Sequence, residues 1–187
     1  RVTISRVNAS LQYPCRFMLV AAMNPCPCGY YGHPTRHCTC TPTAAQHYLS
    51  RISGPLLDRI DLHIEVPPVE FSELAEKKPG ECSADIRRRV NAARRRQEER
   101  FQGSGILCNA AITTDMMRQA CPLTDDANRL LETAFQRLSL SARAHDRLLK
   151  VARTIADLDN SDIIESAHIA EAVQYRSLDT KYWRDRG

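Results

Sequence analysis

Phe17-Met-Leu-Val-Ala-Ala-Met-Asn24, followed by Pro25, decides the fold class. An unbroken apolar run closed by a polar amide predicts a strand at 17 to 23, buried on both faces as in a parallel sheet, whose end delivers Asn24 to a ligand at the sheet edge. A second stretch, Gly54-Pro-Leu-Leu-Asp-Arg-Ile-Asp-Leu-His-Ile-Glu-Val-Pro67, places one cation, Arg59, after a short apolar turn and before a further predicted strand at 60 to 66. With a strand at about 2 to 6 and a helix at 43 to 52, these form the tail of an α/β layer.

Nine of the ten prolines lie in the first 79 residues, so continuous helix is rare there and ample afterwards. Ser83 can cap a helix carrying Ile86, Val90, Ala93 and Phe101, and Thr124 one carrying Ala127, Leu130, Leu131, Ala134 and Phe135. Ser141 opens a third with Ala144, Leu148, Val151, Ala152 and Ile155 on one stripe, and Ser166 a fourth through Ile169, Ala170 and Val173. A short helical turn at 114 to 119 joins the first two. The expected fold class is therefore α/β then all-α: an α/β portion over 1–67 with a Cys-rich insert at 25–42, a linker at 68–82 and a helical bundle over 83–180.

With 187 residues and 43% apolar content, the chain has enough for a real core. No apolar run approaches the length of a membrane span and no signal-peptide pattern opens the chain, so a cytoplasmic location without membrane contact is expected. Of the 26 basic residues 22 are arginine, which suits planar contacts to carboxylate or phosphate and equally reflects genomic base composition.

Four of the eight cysteines crowd into Cys26-Pro-Cys28 and Cys38-Thr-Cys40. Two C-x-C knuckles can converge on one tetrahedral Zn²⁺, with Gly29 and Gly32 permitting the turns and His33 and His37 in reserve. Free thiols and a disulfide are the other readings, since structural zinc usually prefers a wider spacing. Such a zinc would be structural, because four thiolates leave no open position for water. Cys15, Cys82, Cys108 and Cys121 have no ligand-like spacing, and His63 and His168 read as structural. Seven arginines between Arg87 and Arg100 can cover a polyanion, or form a solvated face interleaved with Glu98 and Glu99.

A phosphate-cradling loop, G-x-x-x-x-G-K-[ST], is missing, as is an apolar strand ending in Asp-Glu to hold magnesium. The chain opens at Arg1, directly in the strand-like Val2-Thr-Ile-Ser5. The expectation is a piece of a larger protein whose nucleotide-anchoring half lies upstream, and which does not hydrolyse ATP alone.

Phe17 to Gly29, Arg51-Ile-Ser-Gly-Pro-Leu-Leu-Asp-Arg-Ile-Asp-Leu-His63 and Ser141-Ala-Arg-Ala-His-Asp-Arg-Leu-Leu-Lys-Val-Ala-Arg-Thr-Ile-Ala-Asp-Leu158, in that order, resemble the magnesium chelatase-like AAA+ ATPases of the YifB/ComM type. The resemblance covers essentially the whole chain. It implies a P-loop NTPase core with a helical lid, ATP and Mg²⁺ as cofactors, and a ring oligomer, a hexamer, that moves DNA; ComM members are described as branch-migration helicases in natural transformation. A magnesium chelatase subunit, or a zinc-containing nucleic-acid-binding module without motor activity, are the alternatives. Asn24 matches sensor 1, Arg59 the arginine finger that enters a neighbour's site, and Arg143 sensor 2, with Arg147 one turn on as a second nucleotide contact and Arg51 as a second candidate for the interface. A finger is worth roughly 10³ to 10⁵ in rate, or about 4 to 7 kcal/mol. From the residues alone, Asn24-Pro25 is also a common turn, Arg59 also a surface partner for Asp58 or Asp61, and Arg143 also an exposed arginine working against a helix dipole. Arg6, near the opening strand, is a candidate DNA contact alongside the arginine-rich helix.

Overall fold

The computed structural model describes residues 1–7, 9–15, 17–69 and 80–176. These residues are mixed in class, helical with a small two-stranded sheet. The chain divides into two compact units, Arg1–Ala45 and Gln46–Gly187. The sequence instead places the change of architecture between residues 67 and 83; most of the expected linker and residues 177–180 of the expected bundle lie outside the described residues.

In the first unit, β1 (Val2–Arg6) pairs antiparallel with β2 (Ala9–Tyr13), Ile4 facing Leu11 and Arg6 facing Ala9. The strand expected at 2 to 6 is present; its partner was not expected. Val2, Ile4, Leu11 and Tyr13 alternate onto one face of the ribbon, and all are exposed. The buried strand expected at 17 to 23 is corrected: the segment is not in a ladder, and Phe17, Met18, Leu19 and Val20 are exposed, Met18 by 82%. A parallel strand needs neighbours to satisfy its backbone, and among the described residues none pairs with this one.

α1 (Pro42–Leu49) begins where Thr41 Oγ1 accepts from the Ala44 N–H, and the division between the units falls inside it. α2 (Gly54–Leu57) is capped by Ser53, whose hydroxyl accepts from the Leu56 N–H, and it buries Leu57. The strand expected at 60 to 66 does not form; the alternation Ile60-Asp-Leu-His-Ile64 finds no neighbouring strand among the described residues, and its backbone is bonded instead to helices, as with the His63 N–H to the Tyr175 carbonyl at 2.8 Å.

The bundle comprises α3 (Ser83–Arg100), α4 (Thr114–Ala120), α5 (Asp125–Arg137), α6 (Ala142–Leu158) and α7 (Ser166–Gln174), with a 3-10 turn at Asn109–Ala111. Thr124 and Ser141 cap as their sequence context requires, accepting from the Ala127 and Ala144 N–H groups. At α3 the cap is Cys82 rather than Ser83, and at α7 it is Glu165, in a capping box with His168. Leu131, Leu148, Ala152, Ala156, Ile164 and Ile169 form the centre of the core. On α3 only Ala93 and Gln97 are buried, so Ile86 and Val90 are exposed, contrary to the sequence expectation. At the C-terminal end of α3 sits a polar knot: the Asp157 side chain, without exposed surface, accepts from Arg100, Arg153 and Asn109. No helix among the described residues is long and apolar enough to cross a membrane.

Candidate functional site

Cys26 and Cys28 flank a turn in which the Gly29 N–H donates to the Cys26 carbonyl at 3.0 Å. Gly29 holds φ at 84°, a left-handed conformation that a side chain would strain. This turn brings the Cys26 Sγ to 3.3 Å from Cys28 and 3.7 Å from Cys38, with Cys28 and Cys38 3.5 Å apart. All four ligand atoms, Cys40 included, lie within 4.8 Å of one another and none is disulfide-bonded. A tetrahedron with metal–sulfur bonds of about 2.3 Å has edges of about 3.8 Å, so the sulfurs are spaced for one metal and far outside disulfide bonding distance.

The thiols are not equivalent. Hydrogen bonding from the Tyr30 backbone, with help from Cys26 and the Thr39 backbone, draws Cys28 down to about 5. The Cys40 backbone N–H pulls Cys38 the same way, but burial and the neighbouring Cys28 and Cys26 sulfurs outweigh it and push Cys38 up to about 12. The Cys28 thiolate forms readily, while Cys38 and Cys40 resist a second negative charge at this spacing. A divalent cation removes that resistance, and the N–H groups already aimed at sulfur are the outer partners that hold thiolate ligands in place. His33 does not join the sulfurs; its Nδ1 accepts from the Thr35 and Arg36 N–H groups. Asn24, exposed just before this turn, has its side chain against Gly29, where an added Cβ would meet Nδ2 at 3.8 Å.

In the second unit, Arg59 follows α2 on a backbone fixed by successive bonds, Asp58 N–H to Gly54, Arg59 N–H to Leu56 and Ile60 N–H to Leu57. Its guanidinium is exposed and, among the described residues, donates only to the carbonyl of Pro55, at 2.7 Å. Neither flanking carboxylate pairs with it. Asp58 accepts from the Ser141 hydroxyl at 3.2 Å and lies 3.6 Å from Arg176, while Asp61 pairs with Arg147. The surface-pair reading of Arg59 is thereby removed, and an exposed cation is left on a rigid turn.

Arg143 is exposed in the first turn of α6 and has no hydrogen-bond or ion-pair partner among the described residues. Arg147 is not free in the same way: it donates to the Arg59 carbonyl as well as to Asp61. On α3, Arg88 pairs with Asp85, Arg89 with Glu81, Arg96 with Asp162 and Arg100 with Asp157. Most of that arginine run is therefore neutralised within the chain.

Comparison with known families separates the chain in two. Residues 80–176 match the family described as magnesium chelatase, subunit ChlI C-terminal, and residues 1–74 match magnesium chelatase, subunit ChlI. The chain belongs to the magnesium chelatase ChlI family. Similar proteins within reach of this ChlI-family chain include the uncharacterized protein YifB of Escherichia coli, 47% identical over 180 residues, covering 96% of this chain and 34% of that protein. The competence protein ComM of Haemophilus influenzae is 44% identical over 178 residues, covering 95% and 34% respectively. A Mycobacterium tuberculosis protein is 33% identical over 175 residues, or 94% of this chain and 34% of the relative. The chain thus spans about a third of the length of the curated relatives it matches.

Two groups in this ChlI-family chain escaped the sequence reading. Asp58 and Arg176 meet near the Arg59 turn, with Arg176 donating to the Ile60 carbonyl at 2.7 Å. Nothing in the spacing of residues 58 and 176 announces that contact. The buried Arg153–Asp157 pair was more accessible, since a charged i,i+4 pair beside the apolar stripe of α6 signals a satisfied polar core.

Proposed function

We propose that this chain is the C-terminal part of an AAA+ ATPase module in a ComM-like ring motor acting on DNA in the cytoplasm. The α/β portion up to about residue 67 carries Asn24 as sensor 1 and Arg59 as the arginine finger; the bundle from residue 83 is the lid and carries Arg143 as sensor 2. The observation that carries this reading is the state of Arg59: exposed, on a fixed backbone, with both adjacent carboxylates engaged elsewhere. A guanidinium so held is available to a neighbouring subunit of a ring, where it would neutralise charge developing on the transferred phosphoryl group.

ATP with Mg²⁺ supplies that phosphoryl group. Arg143, without a partner among the described residues at the start of α6, suits an anion beside the free N–H groups and positive end of the helix dipole, and Asn24 can orient a water through its amide. The exposed Phe17–Val20 run is read as a strand whose neighbours come from the remainder of the protein. Cys26, Cys28, Cys38 and Cys40 are proposed to hold one structural Zn²⁺ that stabilises the loop after Asn24; their spacing and N–H···S bonds support it. DNA contact is assigned to the β1–β2 ribbon, where Arg6 stands next to the fully exposed Val7.

A second reading, a magnesium chelatase ATPase subunit, is favoured by the descriptions of the matching families. The test is ATP turnover by the complete protein with and without forked or single-stranded DNA. Stimulation supports the DNA motor; turnover indifferent to DNA and dependent on a protein partner supports the chelatase subunit.

A further inference from the structure

The segment that presents Arg59 is held from behind by the helical bundle, and the contacts are unusually complete. Arg147 on α6 donates to the carbonyl of Arg59 itself and pairs with Asp61. Arg176, only 2% exposed and just beyond α7, donates to the carbonyl of Ile60 at 2.7 Å and lies 3.6 Å from Asp58. Ser141 closes the set: its hydroxyl accepts from the Ala144 N–H to cap α6 and donates to Asp58 at 3.2 Å. Four groups between residues 58 and 61, the carbonyls of Arg59 and Ile60 and the carboxylates of Asp58 and Asp61, are thus bonded to two arginines and a helix cap, while the Arg59 guanidinium points away to Pro55.

We propose that Arg147 and Arg176 are positioning residues for Arg59, and that they make α6, with Arg143 in its first turn, and the Arg59 turn one mechanical body. This rests on the reading of Arg59 as a finger. Movement of α6 in response to nucleotide at Arg143 is then transmitted directly to the guanidinium offered to the next subunit. In this proposal Arg147 acts through the backbone of Arg59, in place of the second phosphate contact expected from the sequence. Backbone carbonyls gripped by charge-assisted bonds resist displacement far better than a free turn. A shift of about 1 Å in a group acting on the transition state costs up to about 10²-fold in rate.

The test uses the complete protein and its Arg147→Ala, Arg59→Ala and doubly substituted forms, with Arg147→Lys as the variant that keeps the charge. Amide hydrogen exchange over residues 57–63 reads the clamp independently of activity. Arg147→Ala should speed exchange there, lower kcat by about 10- to 100-fold, and leave nucleotide affinity unchanged, with Arg147→Lys recovering part of the rate. Adding Arg147→Ala to Arg59→Ala should lower the rate no further. Unchanged exchange over 57–63, or weakened nucleotide binding as the main defect of Arg147→Ala, overturns the proposal. If exchange quickens in Arg147→Ala while Arg59→Ala retains full turnover, the clamp exists but the finger reading fails, and the positioning role falls with it.

Discussion

Replacing Asp157 by alanine removes the most heavily bonded carboxylate of the bundle. Its two oxygens accept from Arg100 at 2.5 and 2.9 Å, from Arg153 at 3.2 Å and from Asn109 at 2.8 Å, and its side chain has no exposed surface. The substitution leaves Arg153, also without exposed surface, with only the carbonyls of Ser161 and Asp162 among the described residues. Breaking one side of a buried pair costs about 3 to 5 kcal/mol. Arg100, whose side chain is 20% exposed, can swing into water, which places the expectation at the lower end, about 3 kcal/mol. For a bundle of this size each kcal/mol lowers Tm by about 4 to 8 °C, so a fall of about 12 °C or more is expected in a thermal melt. Asp162→Ala is the control, because that carboxylate is 92% exposed and its pair with Arg96 is worth about 0 to 1 kcal/mol. The pH dependence has a definite sign. Burial works to raise the Asp157 carboxyl, but Arg100, Asn109 and Arg153 prevail and hold it below 3.8. Its contribution is therefore present above the unfolded value and lost as pH falls through the lower folded value. Asp157→Asn should flatten the acid limb of the stability curve. A loss under about 1 kcal/mol in Asp157→Ala would refute the assignment of this knot as a buried, mutually dependent pair.

Protein purified without chelator should carry about one zinc bound by four thiolates, and Cys26→Ser should release it; metal-free protein with four freely titrating thiols and unchanged folding contradicts the site. Thr124→Ala should cost about 1 kcal/mol in urea unfolding through loss of the α5 cap. Ser141→Ala should cost more, since its hydroxyl also reaches Asp58; equal losses would show that this second bond contributes nothing. Arg6→Ala in the complete protein should reduce the salt slope of DNA binding by about one, whereas Arg88→Ala, already paired with Asp85, should leave it unchanged.

Periodicity and caps made the bundle legible, because Thr124 and Ser141 act on N–H groups three residues away and the apolar stripes of α5 and α6 need only their own sequence to be recognised. Strands are different. Phe17–Met23 and Ile60–Val66 have strand-like composition, but a ladder depends on a partner that composition does not supply, and among the described residues neither has one. The alternation Ser10-Leu-Gln-Tyr13 after Val2-Thr-Ile-Ser5 was a usable hairpin signal for β2. At the site, adjacency in sequence made the cysteine knuckles readable, whereas the grip of Arg147 and Arg176 on residues 58 to 61 joins positions more than 80 residues apart and emerges only from packing.

In the function proposed above, Arg59 works in a neighbour's nucleotide site. This role is tested most directly by mixing complete Arg59→Ala protein with a second variant lacking the phosphate-loop lysine expected upstream, and measuring ATP turnover. Each alone should bind partners yet turn over little, with nucleotide binding retained in Arg59→Ala, because the guanidinium acts mainly on the transition state. Mixed rings should recover part of the activity wherever an intact loop meets an intact finger. Normal ATP turnover by Arg59→Ala alone would contradict the account.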